Sequence, residues 1–423
     1  MKIDWKKATV VGGLIIALIA LIVAIFSMFR QAASNQQASS TTPFGVVAPA
    51  VNTGVRGVEV LPGSGNLPIG GAQGGATTQP IFKIADGPIA GAELVNYGIP
   101  TTTYSRYITS ENGHVYEQAL DAPGSFPRKL SNTTIPGVSR AIWTDGGNGV
   151  IMQYLQSGAI KTVHILFATT STATSEVVII TPAIVHFLPD GITGVAASPS
   201  GKNIAYMLHS GSGSDVYIAP ADGNAKKLFS LPLSELDISW PATTTVFLYT
   251  KSAGGIQGIG FSADTKTGSV VPILYGVGLT ATANIFLSNI LYRTDTGHGA
   301  TLYSEKVSSG QSFMIRPVTS LASPLPETCV WNSVHPLQAF CIAPVLSAPD
   351  NYLELWHRGE FGVASALVSV DTANNSSSLV ATPGSRDGGE PSDACSLAIS
   401  PDAHYLSFIS KSSQKLWGVR LAQ

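Results

Sequence analysis

Short apolar strands, arranged as two consecutive hairpins and repeated at intervals of roughly 40 to 60 residues, constrain this chain more than any other feature. The segment Tyr217-Ile218-Ala219-Pro220-Ala221-Asp222-Gly223-Asn224-Ala225-Lys226-Lys227-Leu228-Phe229 reads as strand, Asp-headed turn, strand. The same design recurs around Asp121, Asp264 and Asp371, and in a looser form around Thr170 and Ser308. Upstream of these hairpins lie others, entered through Trp143, Ser198, Trp240, Trp331 and Ser400. Alternation in Asn203-Ile204-Ala205-Tyr206-Met207-Leu208 and Thr245-Val246-Phe247-Leu248-Tyr249 predicts strands with one buried face. No stretch of residues 79–423 offers a persuasive helix, so this region of roughly 345 residues reads as all-β.

Four strands per unit make a radial repeat, and the ends of the region say how it closes. The last unit runs through 397–400, 405–409 and 416–421 and lacks a fourth strand. At the other end, residues 80–86 (Pro80-Ile81-Phe82-Lys83-Ile84-Ala85-Asp86) form an apolar strand with no hairpin partner. Placing that strand as the outer strand of the last unit closes a ring and removes exposed sheet edges. The expectation is a seven-bladed β-propeller, with six or eight blades also compatible.

Two turns resemble a known family. Ser198-Pro199-Ser200-Gly201-Lys202-Asn203-Ile204-Ala205-Tyr206 and Ser400-Pro401-Asp402-Ala403-His404-Tyr405-Leu406-Ser407-Phe408 are similar to the first hairpin of TolB-like and WD40-like propellers, where a Ser-Pro-Asp-Gly turn joins the innermost strand to the second. Both copies depart from the motif, through Ser200 in one and Ala403 in the other. The resemblance supports the fold and carries no catalytic residue, because propellers host binders, scaffolds and enzymes alike. The plan of anchor, stalk and propeller also resembles bacterial surface-anchored propeller proteins, which implies an extracytoplasmic binding or scaffolding role.

That plan comes from the N-terminal 80 residues. Residues 9–29 are uncharged and apolar, with Lys2, Lys6 and Lys7 before them and Arg30 after. At helical rise they span about 30 Å, the thickness of a bilayer's hydrocarbon core. The lysines predict a cytoplasmic tail at 1–8, a transmembrane signal anchor at 9–29, and everything later outside. A cleaved secretory signal is the rival, given Ala32, Ala33 and Ser34, but its apolar region is usually about 7 to 15 residues long. Residues 30–78 are rich in Gly, Ala, Ser, Thr, Pro and Gln, with Arg56 and Glu59 the only charges after Arg30. Such a segment predicts a flexible linker with an end-to-end distance of about 35 to 42 Å. The membrane is therefore the first expected partner.

Three cysteines remain. Cys329 and Cys341 flank a turn centred near His335, so a simple hairpin sets them opposite one another, where Cα atoms about 4.5 Å apart permit a disulfide. Free buried thiols are the other reading. Cys395 enters the neighbouring blade, either as a small core residue or as a thiol that exchanges with Cys329. No Cys-x-x-Cys occurs and the eight histidines are scattered, so no metal site and no cofactor are expected.

The longest insertion between second and third strands, 345–363, contains Tyr352, Glu354, Trp356, His357, Arg358, Glu360 and Phe361. Trp, Tyr and Arg often anchor interfaces, so the first six of these residues are the candidate ligand-binding set. The bland alternative is a loop that packs Trp356 back onto its own blade. Trp143, Trp240 and Trp331 at equivalent positions suggest wedges between blades or an aromatic box around the channel. His209 and His298 sit in loops that would share a face with the insertion.

Catalytic expectations are weak. Asp121, Asp222, Asp264 and Asp371 occupy turn positions, where a carboxylate bonds its own backbone. There is no Gly-x-Ser-x-Gly segment and no phosphate-binding Gly-x-x-x-x-Gly-Lys loop. A formal charge of -2 and 12% charged residues argue against nucleic acid. The sequence therefore points to a binding or scaffolding module for an envelope protein or glycan. A glycan-active hydrolase or lyase using channel carboxylates is the alternative, and an inward-signalling sensor is disfavoured by so short a tail.

Overall fold

A computed structural model describes residues 81–421 apart from 99, 123–124, 172–177, 221–222, 252, 320, 346–348, 350, 361–363 and 384–393. The expected tail, membrane anchor and linker lie outside the described residues, as does the Asp222 turn. Among the described residues no helix is long and apolar enough to cross a membrane.

Seven four-stranded sheets make up the structure. We number them as blades 1 to 7: residues 89–129, 138–187, 192–231, 236–277, 280–314, 330–381, and 394–420 with Ile81–Ala85. Each blade is an antiparallel meander, as in blade 3, where Ile204 faces Ala197 on one side and Ala219 on the other. First strands touch between blades 1 and 2, 3 and 4, 6 and 7, and 7 and 1, which puts them on the inside of the ring.

The ring closes as the unpaired ends predict. Ile81–Ala85 adds to the last blade as its fourth strand, with Ile81 opposite Val419 and Ala85 opposite Leu416. Gly418 lies beneath Phe82, and a Cβ there would come within 2.6 Å of that ring.

Apolar clusters fill all seven seams, two of them in the seam between blades 7 and 1. Trp143, Val150 and Ile165 join Ile108 between blades 1 and 2; Phe340, Ile342 and Leu406 join blades 6 and 7; Ile84, Ile89 and Tyr107 close the circle. The middle strands consequently differ from the expected one-sided burial. Ile204, Ala205, Tyr206 and Met207 are all buried, as are Val246, Phe247, Leu248 and Tyr249. Each blade is sandwiched by two others, so β-branched and aromatic residues are wanted on both faces. Trp143, Trp240 and Trp331 sit in three different seams as wedges and form no channel box.

The meander sorts the loops. Turns after first and third strands emerge on one face of the ring; loops after second strands and the connections between blades emerge on the other. The long insertion of blade 6 lies on this second face. Contrary to the absence of helix expected from sequence, it holds a helix, α1, at Tyr352–Arg358. Glu354 in the first turn and His357 and Arg358 in the last suit the helix dipole, and Gly359 at φ 73° ends it. Two turns of helix are too short to leave a periodic signal in the sequence.

Cys329 and Cys341 form the expected disulfide, with Cα atoms 4.1 Å apart. Cys395 is half-buried against one of the clusters between blades 7 and 1 and takes no part in that bond.

Candidate functional site

Helix α1 leaves blade 6 and is tied to three other blades. Tyr352 and Leu353 are buried with Leu325, which belongs to the connection from blade 5. The Tyr352 ring takes the Arg293 guanidinium of blade 5 at 5.8 Å. Glu354 accepts a 2.6 Å hydrogen bond from the Gly254 amide of blade 4. Trp356 lies under the Lys411 ammonium of blade 7, 4.0 Å from its ring centroid, and its carbonyl accepts from the same lysine at 3.3 Å.

His357 completes the attachment through Glu327, 3.0 Å away in the blade 5–6 connection. That hydrogen bond is the largest influence on the imidazole and raises its pKa, with the charges of Glu327 and Asp237 acting in the same sense. Arg358 and Glu360 are exposed and pair with each other at 3.3 Å.

The six residues singled out in the sequence therefore divide. Tyr352, Glu354, Trp356 and His357 hold the helix down, Trp356 through Lys411 of blade 7 rather than through its own blade, whereas Arg358 and Glu360 are exposed. His209 is exposed on blade 3, beside a cavity of about 590 Å³ bordered by Asp190, Glu235 and Lys251. His298 occupies the blade 5 loop on the same face as α1.

Sequence reading missed the charges at the inner end of this face. Asp237, on the first strand of blade 4, lies 3.6 Å from Lys251. Its side chain is 38% exposed, yet it stands among the inner strands. Restricted solvation there raises its pKa, Glu327 adds to the rise, and Lys251, Arg140 and His357 oppose it. Tyr249 is directly opposite in register, and burial followed by the Asp237 charge pushes its phenol well above the ordinary value.

Glu93 stands alone on the first strand of blade 1. It accepts a hydrogen bond from the Leu94 amide at 3.0 Å, and burial raises its pKa to about 7. Glu93, Arg140 and Asp237 share one recoverable signal, a charge inside the apolar first strand of a unit. Among the described residues no group of three or more His, Cys, Asp or Glu side chains is placed to hold a metal.

No protein-family model and no curated protein matches the chain. Solved propeller structures do. TolB from Acinetobacter baumannii is 12% identical with a TM-score of 0.39, covering 82% of this chain and 79% of its own. An oligogalacturonate lyase in complex with manganese is 11% identical with a TM-score of 0.46, over 80% and 99%. The β-propeller domain of Myceliophteria thermophila Cps50 (Swd1) is 10% identical with a TM-score of 0.48, over 81% and 100%. At these identities the likeness concerns the fold alone.

Proposed function

We propose that this protein is a membrane-anchored, extracytoplasmic propeller that binds or scaffolds an envelope protein or glycan through the face carrying α1. The observation that carries this reading is the seating of α1. A surface helix fixed by Gly254 of blade 4, Lys411 of blade 7 and Glu327 of the blade 5–6 connection is held rigid, and it presents Arg358 and Glu360 outward. Pre-organised side chains of this kind bind with little loss of conformational freedom. The apolar run 9–29 and the linker 30–78 support display near a membrane.

The test is photo-crosslinking in cells of the native host, with a photo-reactive residue replacing Arg358 or Glu360 in the full chain. A discrete adduct is expected from these positions, weakened by Trp356→Ala, and absent when the probe replaces Phe126 on the opposite face. No adduct from either helix position, in a folded protein, sinks the binding role of this helix. A hydrolase or lyase reading gains from Asp237 and Glu327, two carboxylates close enough for the charge of one to raise the pKa of the other. A captured polysaccharide that the parent shortens and Asp237→Asn leaves intact would favour it.

A further inference from the structure

A second feature lies between blades 5 and 6, and it stands or falls separately from the docking role of α1. A cavity of about 500 Å³ opens there, bordered by Leu302, Ile315, Val318 and Val368, with Arg293 and Ser323 in its wall. That volume is in the range of small-molecule sites. Arg293 is only 3% exposed. Its Nη2 donates to Asp295 at 2.8 Å, but among the described residues its Nε and Nη1 have no hydrogen-bond partner, and neither does the buried hydroxyl of Ser323. Buried donors of this kind are normally satisfied, so these three polar atoms point to a missing acceptor.

The electrostatics narrow what that acceptor is. Asp295 already neutralises Arg293, and its other oxygen accepts from the Gly297 amide at 2.9 Å. An entering carboxylate would leave a net negative charge in a poorly solvated place, whereas a carbonyl oxygen can take the free N–H groups with no change in net charge. Among the described residues the cavity wall contains no aromatic side chain on which a flat ring or a sugar could stack. From this arrangement we infer that the blade 5–6 cavity binds a small neutral carbonyl compound with a flexible aliphatic body, its oxygen held by Arg293 and Ser323.

Hexanamide, hexanoate and hexylammonium share one length and differ in charge at the head. Titrated into the full chain and followed by ligand-observed NMR, hexanamide is expected to bind saturably and at least tenfold more tightly than the other two. Val318→Trp, which fills the cavity, should abolish binding. The change Arg293→Met with Asp295→Asn, which removes both charges of the pair and keeps the net charge, should weaken it at least tenfold, and Ser323→Ala should weaken it less. Equal or tighter binding of hexanoate overturns the neutral-acceptor assignment. Binding that survives both Val318→Trp and the Arg293 pair places the amide elsewhere. No saturable binding of any probe means that the cavity holds water only, and the inference fails.

Discussion

Two arginines occupy the same place in different blades and live in opposite circumstances. Arg106 is the fifth residue of Thr102–Thr109 in blade 1, and Arg293 is the fifth residue of Asn289–Asp295 in blade 5; each is 3% exposed. Arg106 is surrounded. Its Nε donates to Glu117 at 2.9 Å, its Nη1 to the Gly147 carbonyl of blade 2 at 2.9 Å, and its guanidinium lies over the Tyr97 ring. Glu117 in turn accepts from Arg128 at 2.6 Å and from the Tyr97 hydroxyl. Arg293 has one carboxylate, one ring and two idle nitrogens. A complete network fixes a seam between blades, while an incomplete one at a cavity leaves donors available to something else.

The largest test of that contrast is stability. Arg106→Met strands Glu117 in the protein with one of its two cations, and is expected to lower the unfolding free energy by about 3–5 kcal/mol, read from the urea midpoint. Arg293→Met with Asp295→Asn removes a neutral pair while leaving an acceptor for the Gly297 amide, and should change stability by less than about 1 kcal/mol. Equal losses would break the comparison.

Glu93 sharpens it, being a strand-borne acid that forms no ion pair among the described residues, although Arg106 is opposite it in register and gives its hydrogen bonds to Glu117 and Gly147 instead. Its folded-state pKa of about 7 exceeds the ordinary 4.5, so the folded chain holds the proton more tightly. Stability from this group is greatest below pH 4.5, falls as pH rises to about 7, and is level above. Glu93→Gln should remove that slope and raise stability at pH 8 by up to about 3 kcal/mol. A parent protein whose stability does not fall over this interval would contradict the assignment.

The smallest effect is expected at the surface, where His357 is 36% exposed. Its raised pKa means that the bond to Glu327 stabilises fully below the ordinary 6.5 and is lost as pH rises through the folded value. His357→Ala should speed amide exchange within Tyr352–Arg358 at pH 6, by an amount worth about 0.2–1 kcal/mol, and change nothing at high pH or around Arg106. A difference that persists unchanged at high pH would assign the effect to packing.

The propeller was legible because its information is local. Turn residues such as Asp264, whose carboxylate accepts from the Lys266 and Thr267 amides, announce each hairpin, and β-branched runs fill the strands between them. Cys329 and Cys341 were legible for the same reason, standing at equal distances from the turn at His335. The composition of the insertion drew notice to α1, but its partners did not follow from it. Gly254 lies 100 residues away from Glu354, and no pattern in the chain links them. Tyr352 and Trp356 have the composition of contact residues and are used as packing. Arg293 gives no sign in the sequence, since only the folded seam reveals which of its nitrogens lack partners.

The ring clasp also has a mechanical meaning. Ile81–Ala85 lies antiparallel to Leu416–Arg420, and its first residue is paired, with Ile81 opposite Val419. A pull on Ile81 directed along its own strand loads all the ladder bonds of the clasp together in shear, whereas a sideways pull peels them one at a time. The same five residues therefore resist tension from one direction and yield to it from another, so the direction of a force on Ile81 decides whether the circle holds.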